Sequence, residues 1–366
     1  MRGLGRLLPL VAAAVGTALL IEVCVFLGVE TGLLQGVQRP SYGAGTYWWG
    51  DHPEFGVWRH PNASFDHQSA CFHVHYHTNS LGARDIERSR DAQKARVVLL
   101  GDSFLEGWGL DLQERLSNKL EEVSGLEHLN FAMSHFGPYQ ELLVYQSLAS
   151  KFEHAGVIIG VTPTNDFVDL DLELSRGIAD YEYRYRPYLV GDPSELHRFD
   201  YRESSWRRTL RRYSYAFNAL LRAVSVWRDR GALPAASAEA VPFSWFYDYS
   251  AAQLRQLEVI LSELARAAAP RPVVVMLIPV FSDLERFAHS GPDPLGARLA
   301  VLGAEKGFAV VDLLPDMANY NPRGRRQLFF SCDYHWSAYG NEVALRVALP
   351  SLYETLYEKL RPIPPR

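Results

Sequence analysis

The sequence predicts an α/β protein: a three-layer α/β/α sandwich around a central parallel sheet, preceded by one N-terminal transmembrane helix. Three observations lead to this. Short, wholly apolar runs recur after residue 96, the mark of strands buried on both faces. Stretches with helical spacing separate them, and strands alternating with helices give a parallel sheet covered on both sides. Ahead of all this stands one apolar segment long enough to cross a bilayer. At 366 residues the chain suffices for one large domain with insertions or for two small ones. With 48% hydrophobic and 22% charged residues it has the composition of a folded protein. A formal charge of −5 supplies no general basic field, so nucleic acid is not an expected partner.

The apolar segment runs from Leu7 to Leu27 (LLPLVAAAVGTALLIEVCVFL). Arg2 and Arg6 precede it and Glu30 follows, which keeps the N-terminus cytoplasmic and sends the rest across. Glu22 interrupts the run, although a carboxyl in hydrocarbon is unfavourable. A cleaved signal peptide and a lipidated Cys24 are the competing readings. No A-x-A-like site follows the run, and Glu22-Val23 is a poor context for lipidation, so an uncleaved anchor is favoured. Residues 1–29 are therefore read as the anchor and 30–71, rich in Gly, Pro and aromatics, as an extended surface connection. Residues 72–366 are read as one α/β domain carrying a lid-like insertion at about 170–250.

Within that domain Phe72–Thr78 alternates like a strand, and Asn79-Ser80-Leu81-Gly82 reads as a turn. Buried strands are expected at Val97–Leu100, Leu129–Met133, Gly156–Val161, Val273–Ile278 and Phe308–Val311. Helices are expected at Leu112–Val123, Pro138–Leu148, Ala251–Ala268, Leu295–Lys306 and Glu342–Leu360. The insertion is dense in Tyr, Trp and Arg and is interrupted by the linker GALPAASAEAVP. It suits either sugar stacking or a lid packed on the core.

Open parallel sheets place their sites at the carboxyl ends of the strands. Gly101-Asp102-Ser103 follows the first strand, where a Ser hydroxyl and helix-start amides face the sheet rim. Asn165-Asp166 follows the third, and the Asn amide is an uncharged donor. Asp333-Tyr334-His335 precedes the last helix; an imidazole can take a proton from Ser while a carboxylate fixes its tautomer. Each alone has an ordinary explanation: a helix cap, a loop Asn, a structural or metal-binding His. Their order at successive strand ends is the informative feature.

Four blocks resemble those of SGNH (GDSL-like) serine hydrolases: VVLLGDSFLEGWGL (97–110), LNFAMSHFGPYQE (129–141), VIIGVTPTNDF (157–167) and CDYHWSAYG (332–340). TNSLGARD (78–85) is similar to the lead-in of membrane-anchored bacterial members. The resemblance covers most of residues 72–360, the insertion apart, and implies a flavodoxin-like sheet order. It implies Ser103 as nucleophile, His335 as general base and Asp333 as its orienter. The oxyanion donors would be the Ser103 amide, the Asn165 side chain and the amide of His135 or Gly137. Ser134-His135 stands where the family usually has Gly after Ser, and Pro163 where Gly is usual in the third block.

The expected function is a serine esterase or acyltransferase on O-acyl esters, acetyl foremost, of cell-envelope carbohydrate. It would be single-pass in a bacterial inner membrane, held through residues 7–28, with its catalytic domain in the periplasm. Some resemblance to alginate O-acetylation proteins points to that substrate. A lipid or thioester esterase with the same residues and a noncatalytic glycan-binding or scaffold protein are the alternatives. No cofactor is expected: a Walker loop and a Rossmann fingerprint are absent from the sequence. His73, His75 and His77 share one strand face, with His67 and His52 near in sequence; a polar face is preferred there to a zinc site. Cys71 and Cys332 either pair or remain two buried thiols.

Overall fold

The computed structural model describes residues 4–34, 37, 40, 49–178, 184–191, 195–229, 241–320 and 323–360. Residues 41–48 of the connecting segment, 179–183 of the aromatic insertion and 230–240 of its linker lie outside them. The described residues fall into two compact units, one from 1–47, 174–185 and 202–238, the other from 48–173, 186–201 and 239–366.

The larger unit opens with two hairpins, β1 (Trp49–His52) with β2 (Gly56–Arg59) and β3 (Ser64–Gln68) with β4 (His73–His77). Its sheet follows: β5 (Arg96–Leu100), β6 (Glu127–Asn130), β7 (Gly156–Val161), β10 (Val273–Leu277) and β11 (Phe308–Asp312), with the small hairpin β8 (Pro187–Val190) and β9 (His197–Asp200) lying between in sequence. The order is β11-β10-β7-β5-β6 and every pairing is parallel. All residues of β5, β7 and β10 are buried, which explains their apolar runs; Arg96, which opens β5, is paired with Glu127 at 2.5 Å. From β5 the chain pairs first with β6 on one side and then with β7 on the other. This reversal opens a crevice at the carboxyl ends of β5 and β7.

The helices of this unit cover the sheet: α2 (Ser103–Glu106), α3 (Leu116–Ser124), α4 (Pro138–Ser147), α5 (Pro163–Leu170), α9 (Ala251–Ala268), α10 (Phe281–Ser290), α11 (Pro294–Lys306), α12 (Leu314–Tyr320) and α13 (Ala338–Leu352). Helix α9 starts at a reciprocal cap between Ser250 and Gln253 and buries Leu257, Ile260, Leu261 and Leu264 along one stripe. The remaining helices are α1 (Leu4–Glu30), α6 (Leu172–Gly177), α7 (Ser205–Tyr213) and α8 (Tyr215–Asp229).

Several elements differ from the sequence reading. The second strand ends at Asn130, because its side chain accepts from the Ala132 amide and turns the chain out of the ladder. The last long helix begins at Ala338, where Ser337 accepts from the Gly340 amide, and changes to a π turn after Leu352. Hairpin β1–β2 carries no long alternation, yet it buries Trp58 and Arg59.

In the smaller unit α1 has the length and composition to cross a membrane between Pro9 and Glu30. Its Glu22 carboxylate accepts from Ser214 Oγ at 2.9 Å and from the first amides of α8, Tyr215 at 2.5 Å and Ala216 at 3.1 Å.

Candidate active site

Two turns bring the chemistry together at the β5–β7 crevice. The first follows β5. Asp102 Oδ1 accepts from the Phe104 amide at 2.9 Å, a side-chain cap that starts α2 at Ser103. Its Oδ2 accepts from Asn165 Nδ2 at 2.8 Å, so the residue before Ser103 orients the amide contributed after β7. Burial raises the Asp102 carboxyl, and the Asn165 and Phe104 donors work against that rise.

The second turn is a narrow loop before α13. Phe329 bridges Trp336, the Phe330 amide bonds the His335 carbonyl at 2.9 Å, and the Ser337 amide bonds Leu328 O at 2.9 Å. Gly340 lets this loop close, since a Cβ there would lie 2.0 Å from Leu328 O. Trp336, buried, donates to Pro279 O at 3.2 Å and ties the loop to the end of β10.

At the loop tip His335 Nε2 lies 2.7 Å from Ser103 Oγ, and His335 Nδ1 lies 2.5 Å from Asp333 Oδ1. The His335 amide donates to the same Asp333 oxygen at 3.1 Å, and Trp108 Nε1 donates to Asp333 Oδ2 at 3.1 Å. Burial raises the Asp333 carboxyl, but the side-chain and backbone bonds from His335 and the one from Trp108 overcome this and hold it at about 2. The His335 ring stacks against Trp108, centroids 5.2 Å apart, and against Tyr334 at 4.3 Å.

Sequence reasoning missed Trp108. In the sequence it stands only as one residue of VVLLGDSFLEGWGL (97–110), with no role of its own. Its setting explains its position: the Gly109 amide donates to Tyr76 OH at 2.6 Å, and His67 meets the indole edge-on at 4.2 Å. Burial, against the opposing field of Glu106, lowers His67 to about 4, so at neutral pH it packs there uncharged. Hairpin β3–β4 thus supports Trp108. It also holds the second turn directly, because Cys71 and Cys332 form a disulfide with Cα atoms 5.8 Å apart. Of the two readings left open for these cysteines, pairing is the one observed.

His135 occupies the left-handed region at φ +63°, a backbone conformation that glycine adopts without strain. Its ring lies 6.3 Å from Trp108, and burial, followed by the charges of Arg186 and His335, lowers it to about 3. The Gly137 amide is turned to Gln140 Oε1 at 3.4 Å. Beneath the loop, Glu106 forms a buried ion pair with Arg59 at 2.6 Å and accepts from both the amide and the hydroxyl of Ser134. Neither Glu106 nor Arg59 carried any signal in the sequence, since one lies inside α2 and the other in an unrecognised strand.

His73, His75 and His77 line the outer face of β4, as alternation requires. His75 bonds Asp66 at 2.6 Å and His77 bonds Ser64 at 2.8 Å. Among the described residues no group of three or more His, Cys, Asp or Glu is placed to hold a metal ion. His52 accepts from the Glu54 and Phe55 amides within its own turn.

No family model and no curated protein matches this chain. Among solved structures it is similar to a lipase/acylhydrolase from Enterococcus faecalis, at 14% identity and TM-score 0.37, over 73% of this chain and 98% of that one. It is similar to a lipolytic protein of the G-D-S-L family from Veillonella parvula at 13% identity and TM-score 0.38, covering 71% and 98%. It is also similar to the esterase EstA from Pseudoalteromonas sp. at 11% identity and TM-score 0.38, covering 71% and 98%.

Proposed function

We propose that the chain is an SGNH-type serine esterase or acyltransferase, anchored by α1, that acts on O-acetyl esters of envelope carbohydrate. The observation that carries this reading is the unbroken hydrogen-bond series from Ser103 Oγ through His335 to Asp333. Ser103 Oγ attacks the acyl carbonyl while His335 Nε2 takes its proton, and Asp333 Oδ1 holds the Nδ1 proton and stabilises the imidazolium. The carbonyl oxygen gains charge and is met by the amides of Ser103 and His135 and by the Asn165 amide proton that otherwise bonds the Tyr334 hydroxyl. The engagement of the Gly137 amide by Gln140 favours His135 over Gly137 as donor. His335 then protonates the departing sugar oxygen, leaving an acyl ester on Ser103. Water completes hydrolysis; a second sugar hydroxyl completes transfer. The exposed ring of Tyr334 beside His335 is a stacking surface that favours sugar over an acyl chain in an apolar groove.

The test is hydrolysis of short acyl nitrophenyl esters by the full chain, with mass analysis of the trapped acyl-enzyme. Ser103→Ala is expected to abolish both turnover and the acetyl adduct. Activity unchanged by that substitution eliminates the mechanism. Absence of turnover and adduct in the wild-type chain would favour the noncatalytic reading. Candidate oligosaccharides added to the acylated enzyme separate transfer from hydrolysis.

A further inference from the structure

The one acidic residue within the apolar run of α1 has an unusual partner. Glu22 lies five positions before Leu27, the end of that run, hence about 7.5 Å inside it at 1.5 Å per residue. The groups that satisfy it are Ser214 Oγ and the Tyr215 and Ala216 amides, the start of α8. Two further contacts climb the same face of α1. Phe26 meets the Tyr215 ring edge-on at 5.2 Å, and Tyr215 OH donates to Glu30 at 2.9 Å. If α1 spans a bilayer, the α7–α8 junction is tied to it below the surface where the span ends.

We propose that α7 and α8 are a second membrane-contacting element, seated in the interfacial zone of the leaflet where α1 emerges, with lipid covering their apolar side chains. The proposal rests on the reading of α1 as an anchor. It gives part of the insertion a role other than the lid expected from the sequence. Trp206 and Tyr213 on α7 and Leu220 and Trp227 on α8 are 62%, 54%, 58% and 76% exposed, although all are side chains that favour such a zone. Of the α7 arginines, Arg211 is buried and with Arg207 faces Glu203, while Arg212 is exposed and suits a layer of lipid phosphates. The occupant is identified by continuity: the helices bearing these rings are fastened to the membrane-spanning helix at a depth that lipid already fills.

The experiment uses the full chain in lipid nanodiscs with Cys24→Ser and the disulfide left oxidised. Nitroxide labels are placed singly by Leu220→Cys and Trp227→Cys. Leu19→Cys on α1 and Val301→Cys on α11 serve as references. Accessibility to oxygen against a polar nickel chelate is read by electron paramagnetic resonance. Labels at 220 and 227 are expected to favour oxygen severalfold over the label at 301, as the label at 19 does. Aqueous readings at both 220 and 227 with a lipid reading at 19 overturn the proposal and leave the anchor standing. An aqueous reading at 19 overturns both. In the unsubstituted protein, a lipid-borne diazirine should label peptides of 205–229 together with those of α1; labelling confined to α1 also overturns the proposal.

Discussion

Trp108→Phe keeps an aromatic ring against His335 and deletes one proton donor. The indole N–H reaches Asp333 Oδ2 at 3.1 Å, while Asp333 Oδ1 serves the side chain and amide of His335. A hydrogen bond to a charged acceptor contributes about 1.5–3 kcal/mol. If all of it were lost in the transition state, kcat/KM would fall roughly 10- to 150-fold, at about 1.36 kcal/mol per decade. Asp333 keeps both bonds from His335, so a loss near the lower limit, about tenfold, is expected. It should fall on kcat with KM little changed, because orientation of the imidazolium matters most as it forms. The Asp333 carboxyl should also rise from about 2, since one of the donors that lower it is gone. Steady-state kinetics on a short acyl nitrophenyl ester, with thermal melting to verify the fold, is the measurement. Activity within twofold of wild type, with an intact fold, would refute Trp108 as a positioning residue for Asp333. A loss carried wholly by KM would place the indole in substrate binding instead.

His135→Gly should relieve about 1–2 kcal/mol of left-handed backbone strain and lose about 0.4–1 kcal/mol through the freer unfolded chain. Stability within about 1 kcal/mol of wild type is expected in denaturant titration. Activity should be retained if only the amide of this residue is used; a tenfold fall in kcat would assign the imidazole a part. Cys71→Ser removes the bridge beside Asp333 and should lower stability by about 2–4 kcal/mol, read as a shifted melting curve under non-reducing conditions. His128 is buried against Tyr357 OH at 2.9 Å, and burial first of all lowers it to about 4. The folded state keeps it neutral while the unfolded chain takes up a proton below about 6.5, so stability falls as pH drops through that window and stops falling below about 4. The contribution is about 3 kcal/mol at most, and denaturation curves of His128→Gln should be flatter between those limits.

The parallel sheet was legible because its central strands β7 and β10 are buried on both faces and carry no polar side chain; β7 runs over Gly156–Val161 as expected. Helix α9 was legible from its stripe and its Ser250 cap. Of the N-terminal hairpins only β4 was legible, from the alternation over Phe72–Thr78. The other strands are short, and what β2 buries is Trp58 and Arg59, residues whose burial depends on partners far away in sequence. Arg59 is the clearest case, since its partner Glu106 is itself buried and neither makes sense without the other. Glu22 looked like a defect in α1 because its partner, the start of α8, is separated from it by almost two hundred residues.

By itself the sequence determined the alternation of buried strands and helices, the apolar helix ahead of them, and the order of Ser103 and Asn165 after strand ends and of Asp333 and His335 before the last long helix. These follow from local periodicity and from the rule that places sites at carboxyl edges. Only the tertiary structure decided the distances among them, the disulfide beside Asp333, the donation by Trp108 and the left-handed backbone at His135. Each of these depends on close approach of residues distant in the chain or on the backbone angle of a single residue. Periodicity carries no record of either.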